Sequence, residues 1–154
     1  MIQREMYLKQ IRPFIDKPFI KVLTGIRRCG KSSLLMMVRD ELLQSGIAVE
    51  NIIYVNFENL DFAHLDIAEK LHKYVKARIT GEGGSSHASG SDGSDRSDCS
   101  NRSGRYYVFL DEIQEVGHWE RAVNSLYLDA NVDLYITNRR HFWNTKSRQG
   151  LIRL

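Results

Sequence analysis

Several things are scarce in this chain, and each scarcity narrows its chemistry. Cysteine occurs twice in 154 residues, at Cys29 and Cys99, with the spacing of neither a disulfide framework nor a metal-ligand set. A reducing compartment suits both. No apolar run approaches the roughly 18 residues that a membrane span needs. The opening segment, MIQREMYLKQIRPF, has charges in every turn where an export signal would place an apolar core and a small-residue cleavage site. A soluble, cytoplasmic protein is expected, with no membrane partner. Acids are missing from residues 138–154, which carry Arg139, Arg140, Lys146, Arg148 and Arg153. Without that stretch the remainder holds 17 basic and 19 acidic residues, so the formal net charge of +3 does not describe the body of the protein.

What is present reads as alternating strands and helices. FIKVLT (19–24) is a short run of β-formers ending in a glycine loop, and Leu34, Leu35, Val38 and Leu42 then recur at helical spacing up to Ser45-Gly46. NIIYVNFEN (51–59) predicts a second strand, and Ile67, Leu71, Val75 and Ile79 a helix over 65–79. Tyr106–Leu110 predicts a third strand, Trp119, Val123, Leu126 and Ala130 a further helix, and Val132–Thr137 a fourth strand. This order implies an α/β fold, a parallel sheet with helices on both faces. Residues 80–104 break the rhythm with six glycines and eight serines, the composition of a solvated, flexible insert. The same composition is open to a second reading, a phosphorylatable or partner-binding tract.

Gly25–Ser32 matches G-x-x-x-x-G-K-[ST] between a predicted strand and a predicted helix, as that motif requires. Glycines let the backbone curl so that its N–H groups and the helix start face the phosphates of a nucleotide. Candidate nucleotide-binding residues are Gly25, Ile26, Arg27, Arg28, Cys29, Gly30, Lys31, Ser32 and Ser33. Lys31 is placed for the β- and γ-phosphates and the Ser32 hydroxyl for Mg²⁺. Arg27 and Arg28 also read as solvated loop residues, and Cys29 as a small tolerated one, since no histidine is placed to activate it. The strand YYVFL ends in Asp111-Glu112. An acid at the tip of a buried parallel strand faces the crevice where such sheets bind ligands. Asp111 becomes the second metal-site candidate and Glu112 the candidate for orienting or deprotonating an attacking water. A strand-capping role for both acids is the simpler alternative, weakened by the loop upstream.

These residues resemble a family, the AAA+-type P-loop ATPases of bacteria and archaea whose members carry an uncharacterised carboxy-terminal domain. GIRRCGKSSLL, IIYVNFEN, YYVFLDEIQEVGHWERAVNSLY and DLYIT are similar to that family in its own order, over residues 1–79 and 105–137. The resemblance implies an ASCE P-loop NTPase sheet, with the strand ending at Thr137 lying between the loop strand and the Asp111 strand. It also implies that Thr137, with Asn138, stands where the family places a polar sensor for the γ-phosphate. ATP and Mg²⁺ are the cofactors implied. Adenine is favoured over guanine because no Asn-Lys-x-Asp motif occurs and the resemblance points to ATP; Ile11–Phe14 are the residues suggested for the adenine wall, with an apolar helix flank as the alternative reading.

The chain departs from that family after Thr137, where TNRRHFWNTKSRQGLIRL replaces the usual sensor, fifth strand and helical lid. The expectation is an ATPase core over 1–137, a divergent basic tail over 138–154 that reads as truncated or frameshifted, a sheet incomplete at its C-terminal end, and an exposed edge on the loop strand prone to association. ATP binding should then outlast hydrolysis, with Glu112, Lys31 and Thr137 as the catalytic set if the chain is an active ATP hydrolase. A non-catalytic, nucleotide-responsive interaction module is the alternative, with an unknown protein partner or self-association. A nucleic-acid binder acting through the tail is a third reading. Because loop closure depends only logarithmically on length, deleting residues 84–102 should shift stability by about 1 kcal/mol or less. Urea denaturation of the deletion variant checks this, and collapse of the fold would show that the tract packs.

Overall fold

Tyr106–Asp111 and Val132–Asn138 are buried along their entire lengths, as expected of central strands covered on both faces. The computed structural model describes residues 2–26, 28–81, 104–129, 131–139 and 149–153. In chain order these form helix α1 (Ile2–Ile11), strand β1 (Ile20–Thr24), helix α2 (Lys31–Gln44), strand β2 (Ile52–Asn56) and helix α3 (Ala68–Thr80). Strand β3 (Tyr106–Asp111), helix α4 (Trp119–Tyr127), strand β4 (Val132–Asn138) and strand β5 (Gln149–Arg153) follow. Every strand pairing is parallel, in the order β2-β3-β4-β1-β5. The predicted strands and helices fall at these positions, although α4 ends at Tyr127 and Ala130, also read as helical, lies outside the described residues; β4 lies between β1 and β3 as the family resemblance implied. Residues 82–103, most of the serine-glycine insert and Cys99 with it, lie outside the described residues.

The fifth strand corrects the sequence reading. Gln149–Arg153 runs parallel to β1, in register from Ile20 opposite Gln149 to Thr24 opposite Arg153. The loop strand is therefore interior, and the sheet is not missing a fifth strand. Strand pairing is made by backbone groups, so a five-residue strand can sit inside a segment read from its sequence as a basic tail.

Side chains alternate between two layers. Leu23, Tyr107, Phe109 and Tyr135 face α1 and α2, meeting Leu8, Ile11, Leu34, Leu35, Val38 and Leu42. Val22, Ile53, Val55, Val108, Leu110, Leu134 and Ile136 face α3 and α4, meeting Leu71, Val75, Trp119, Val123 and Leu126. The helix α1 lies ahead of the segments assigned from periodicity. Arg12 ties it to α2 by pairing with Glu5 and Glu41, both at 2.6 Å. Ile11, suggested for the adenine wall, is fully enclosed in the α1–α2 layer and acts as packing.

At the amino end of the strands, on the α1–α2 face, Lys21 and Asp133 form a fully buried ion pair. Asp133 also accepts from the Tyr135 hydroxyl (2.9 Å) and the Asp16 amide (3.1 Å), and Lys21 donates to the Lys17 carbonyl (3.0 Å). Burial pulls the Lys21 ammonium below the usual lysine range, against the attraction of Asp133. Such a pair is strongly destabilising to break, because the survivor is left charged and unpartnered. Asp133→Ala should cost about 3–5 kcal/mol, measured by urea denaturation. Adding Lys21→Met should recover only part of it, since the Asp16 amide and Tyr135 hydroxyl would still lack their acceptor.

Candidate nucleotide site

The glycine loop joins β1 to α2 at the carboxyl end of the sheet. Gly30, immediately before α2, has φ +93° and ψ 18°, a left-handed conformation that L side chains resist. A β-carbon there would meet nothing within 4 Å, so backbone conformation rather than crowding selects glycine. Arg28 is also left-handed, at φ 64°. Together these turns place the first N–H groups of α2, which have no partner within the helix, beside the end of β1. Arg28, Cys29 and Ile26 are exposed, Gly25, Ser32 and Ser33 are half-buried, and Arg27 lies outside the described residues.

Lys31 turns back into this loop. Its side chain is 3% exposed, and Nζ donates to the carbonyls of Gly25 (3.2 Å) and Ile26 (3.0 Å). Its ammonium lies 4.0 Å from Glu112 Oε1, across the sheet from the loop strand. The structure thus brings Lys31 and Glu112 together although 80 residues separate them in the chain.

Asp111 is fully buried at the tip of β3, with both carboxylate oxygens engaged. Thr137 donates to Oδ1 at 2.6 Å from the tip of β4, and the Tyr54 hydroxyl donates to Oδ2 at 3.1 Å from β2. Thr137 Oγ1 in turn accepts from the Glu112 amide at 2.7 Å. That bond helps hold Glu112 at φ 58° and ψ 47°, a left-handed conformation uncommon for a residue with a β-carbon. One buried hydroxyl thereby fixes both neighbouring acids.

The Glu112 carboxylate is also held. Oε2 accepts from Gln114 Nε2 (2.6 Å) and Arg139 Nε (2.8 Å). Arg139 pairs with Glu58 as well, and its amide donates to Gln114 Oε1 at 3.3 Å. Burial lowers the Arg139 pKa, and Glu112 and Glu58 more than offset this, leaving it above the usual arginine value. Sequence reasoning missed Arg139, Tyr54 and Gln114 as members of the site. Arg139 was absorbed into the basic stretch, and Tyr54 into a strand pattern.

A model of the AAA domain matches residues 17–147. The chain belongs to the AAA-domain family. The match runs past Thr137 and includes Arg139. A Haemophilus influenzae protein described as uncharacterised is 39% identical over 137 residues, covering 89% of this chain and 29% of that protein. The chain therefore spans under a third of the length of this relative. A DNA polymerase III γ-subunit-related protein from Thermotoga maritima has a similar fold, with a TM-score of 0.61 at 11% identity, over 96% of this chain and 45% of that one. This AAA domain is a nucleotide-binding domain of ATPase type, with a P-loop NTPase fold. Among the described residues, no helix is long and apolar enough to cross a membrane.

Thr137→Val keeps the shape but leaves the buried Glu112 amide without its acceptor and Asp111 Oδ1 without its donor. A loss of about 2 kcal/mol is expected from such unsatisfied groups, with Thr137→Ser close to wild type. Chemical denaturation of the two variants checks this.

Proposed function

We propose that this AAA domain binds Mg-ATP between Gly25–Ser33 and Asp111–Glu112 and hydrolyses it. The observation that carries the reading is the convergence of Lys31, Asp111 and Glu112 at the carboxyl end of one parallel sheet, beside a helix start shaped by a left-handed glycine. The phosphates would displace the loop carbonyls now bonded to Lys31, whose ammonium then holds the β- and γ-oxygens. The available donors fit Mg²⁺: a carboxylate and a half-buried hydroxyl, Asp111 and Ser32, are the hard oxygen groups this ion takes alongside water and phosphate. Asp111 and Ser32 would hold the ion, which would supply positive charge against the transferred phosphoryl group. Glu112, braced through its amide by Thr137, orients a water toward that group. Thr137 acts by bracing the acids, since its hydroxyl is buried and already bonded to both.

A non-catalytic, nucleotide-responsive module is the second reading. It draws support from the Glu112 carboxylate, whose Oε2 is engaged by Arg139 and Gln114 and is not free to accept a water's proton in this state. Weak turnover follows if those bonds persist with nucleotide bound. A cytoplasmic setting and partners among proteins accord with either reading, and nucleic acid is not needed for either.

At 100 times its Kd, Mg-ATP should stabilise the fold by about 2.7 kcal/mol, read as a rise in melting temperature that Lys31→Ala largely removes. Glu112→Gln should keep that rise while eliminating phosphate release. Melting unmoved by saturating Mg-ATP would overturn nucleotide binding. Phosphate release equal in wild type and Glu112→Gln would favour the non-catalytic module.

A further inference from the structure

We propose that Tyr54 is a positioning residue for the metal-site carboxylate of Asp111, coupling it to the helix that follows the glycine loop. The inference rests on the Mg-ATP reading above and deepens it by assigning a residue that no motif contains.

Tyr54 lies on β2, opposite Phe109 of β3 in the strand register, so its ring must extend along the sheet to reach Asp111. The ring does so on the α1–α2 face, tilted by 31° against Phe109 at a centroid distance of 6.2 Å. The Arg39 guanidinium of α2 lies 5.7 Å from the Tyr54 ring centroid, within the range of a cation–π attraction. Phe109 and Arg39 thus hold the ring from the strand and the helix, and the hydroxyl meets Asp111 Oδ2 at 3.1 Å.

The second donor makes this a positioning device. Thr137 reaches Oδ1 from β4 while Tyr54 reaches Oδ2 from β2, the two strands that flank β3. Donors on both oxygens, anchored to different strands, set the plane of the carboxylate. Each oxygen has two lone pairs, so one on each remains for the ligand side. A tyrosine hydroxyl can serve as the donor to a carboxylate oxygen. Because Arg39 belongs to the helix carrying Lys31 and Ser32 at its start, a displacement of α2 is transmitted through the ring to Asp111.

Tyr54→Phe removes the hydroxyl and keeps the ring between Phe109 and Arg39. ATP affinity is to be measured by titration calorimetry on the whole chain, first with EDTA and then over a series of free Mg²⁺ concentrations. Without metal, the variant should bind ATP within about twofold of wild type, because the loop amides and Lys31 are untouched. The Mg²⁺ concentration that gives half the full enhancement should rise about tenfold, as expected for one hydrogen bond to a charged group. Arg39→Gln, which loosens the ring and spares the hydroxyl, should move that midpoint in the same direction by a smaller factor. An unchanged midpoint in Tyr54→Phe would overturn the proposal, as would an equal loss of affinity with and without metal, which would assign Tyr54 to packing. Wild type that binds ATP with no response to Mg²⁺ would instead remove the metal reading on which the proposal stands, whatever the variant does.

Discussion

The position of β4 between β1 and β3 is the constraint from which the site follows. Two strand spacings, about 10 Å, separate the strand that leads into the glycine loop from the strand that ends in Asp111. That gap is the width in which the loop, the Lys31 side chain and the two acids face one another. Because β4 ends at the same level, its terminal residues reach across. Thr137 binds Asp111 and the Glu112 amide, and Arg139 binds the Glu112 carboxylate.

Two buried polar networks among the described residues occupy the α1–α2 face, at opposite ends of the strands. At the amino end, Lys21 and Asp133 neutralise one another inside the fold and are joined by hydroxyl and backbone partners. At the carboxyl end, Asp111 accepts from the hydroxyls of Thr137 and Tyr54, and Lys31 approaches Glu112 instead. A buried carboxylate without a fixed positive partner is costly in a low-dielectric interior. Under the proposed function, a cation arriving beside Asp111 would offset that cost.

Glu112 is held by the same surroundings. Its backbone is left-handed and braced, while one of its oxygens is shared by Gln114 and Arg139. Arg139 is divided between Glu112 and Glu58.

Much of this could be read from the sequence, because its signals are local. The glycine-lysine-serine spacing, the apolar run into Asp111-Glu112 and the alternation of strand and helix patterns each lie within a few consecutive residues, where backbone conformation and periodicity are set. On those grounds the fold class, the loop and the two acids were legible. What the tertiary structure decided depends on contacts between distant positions. The pairing of Gln149–Arg153 with β1 is made by backbone groups that composition does not reveal. Tyr54, Arg139 and the Lys21–Asp133 pair acquired roles only because parallel register brought residues up to 112 positions apart within hydrogen-bonding reach. A side chain's type states which bonds it can make, whereas its partner is chosen by the packing of the sheet.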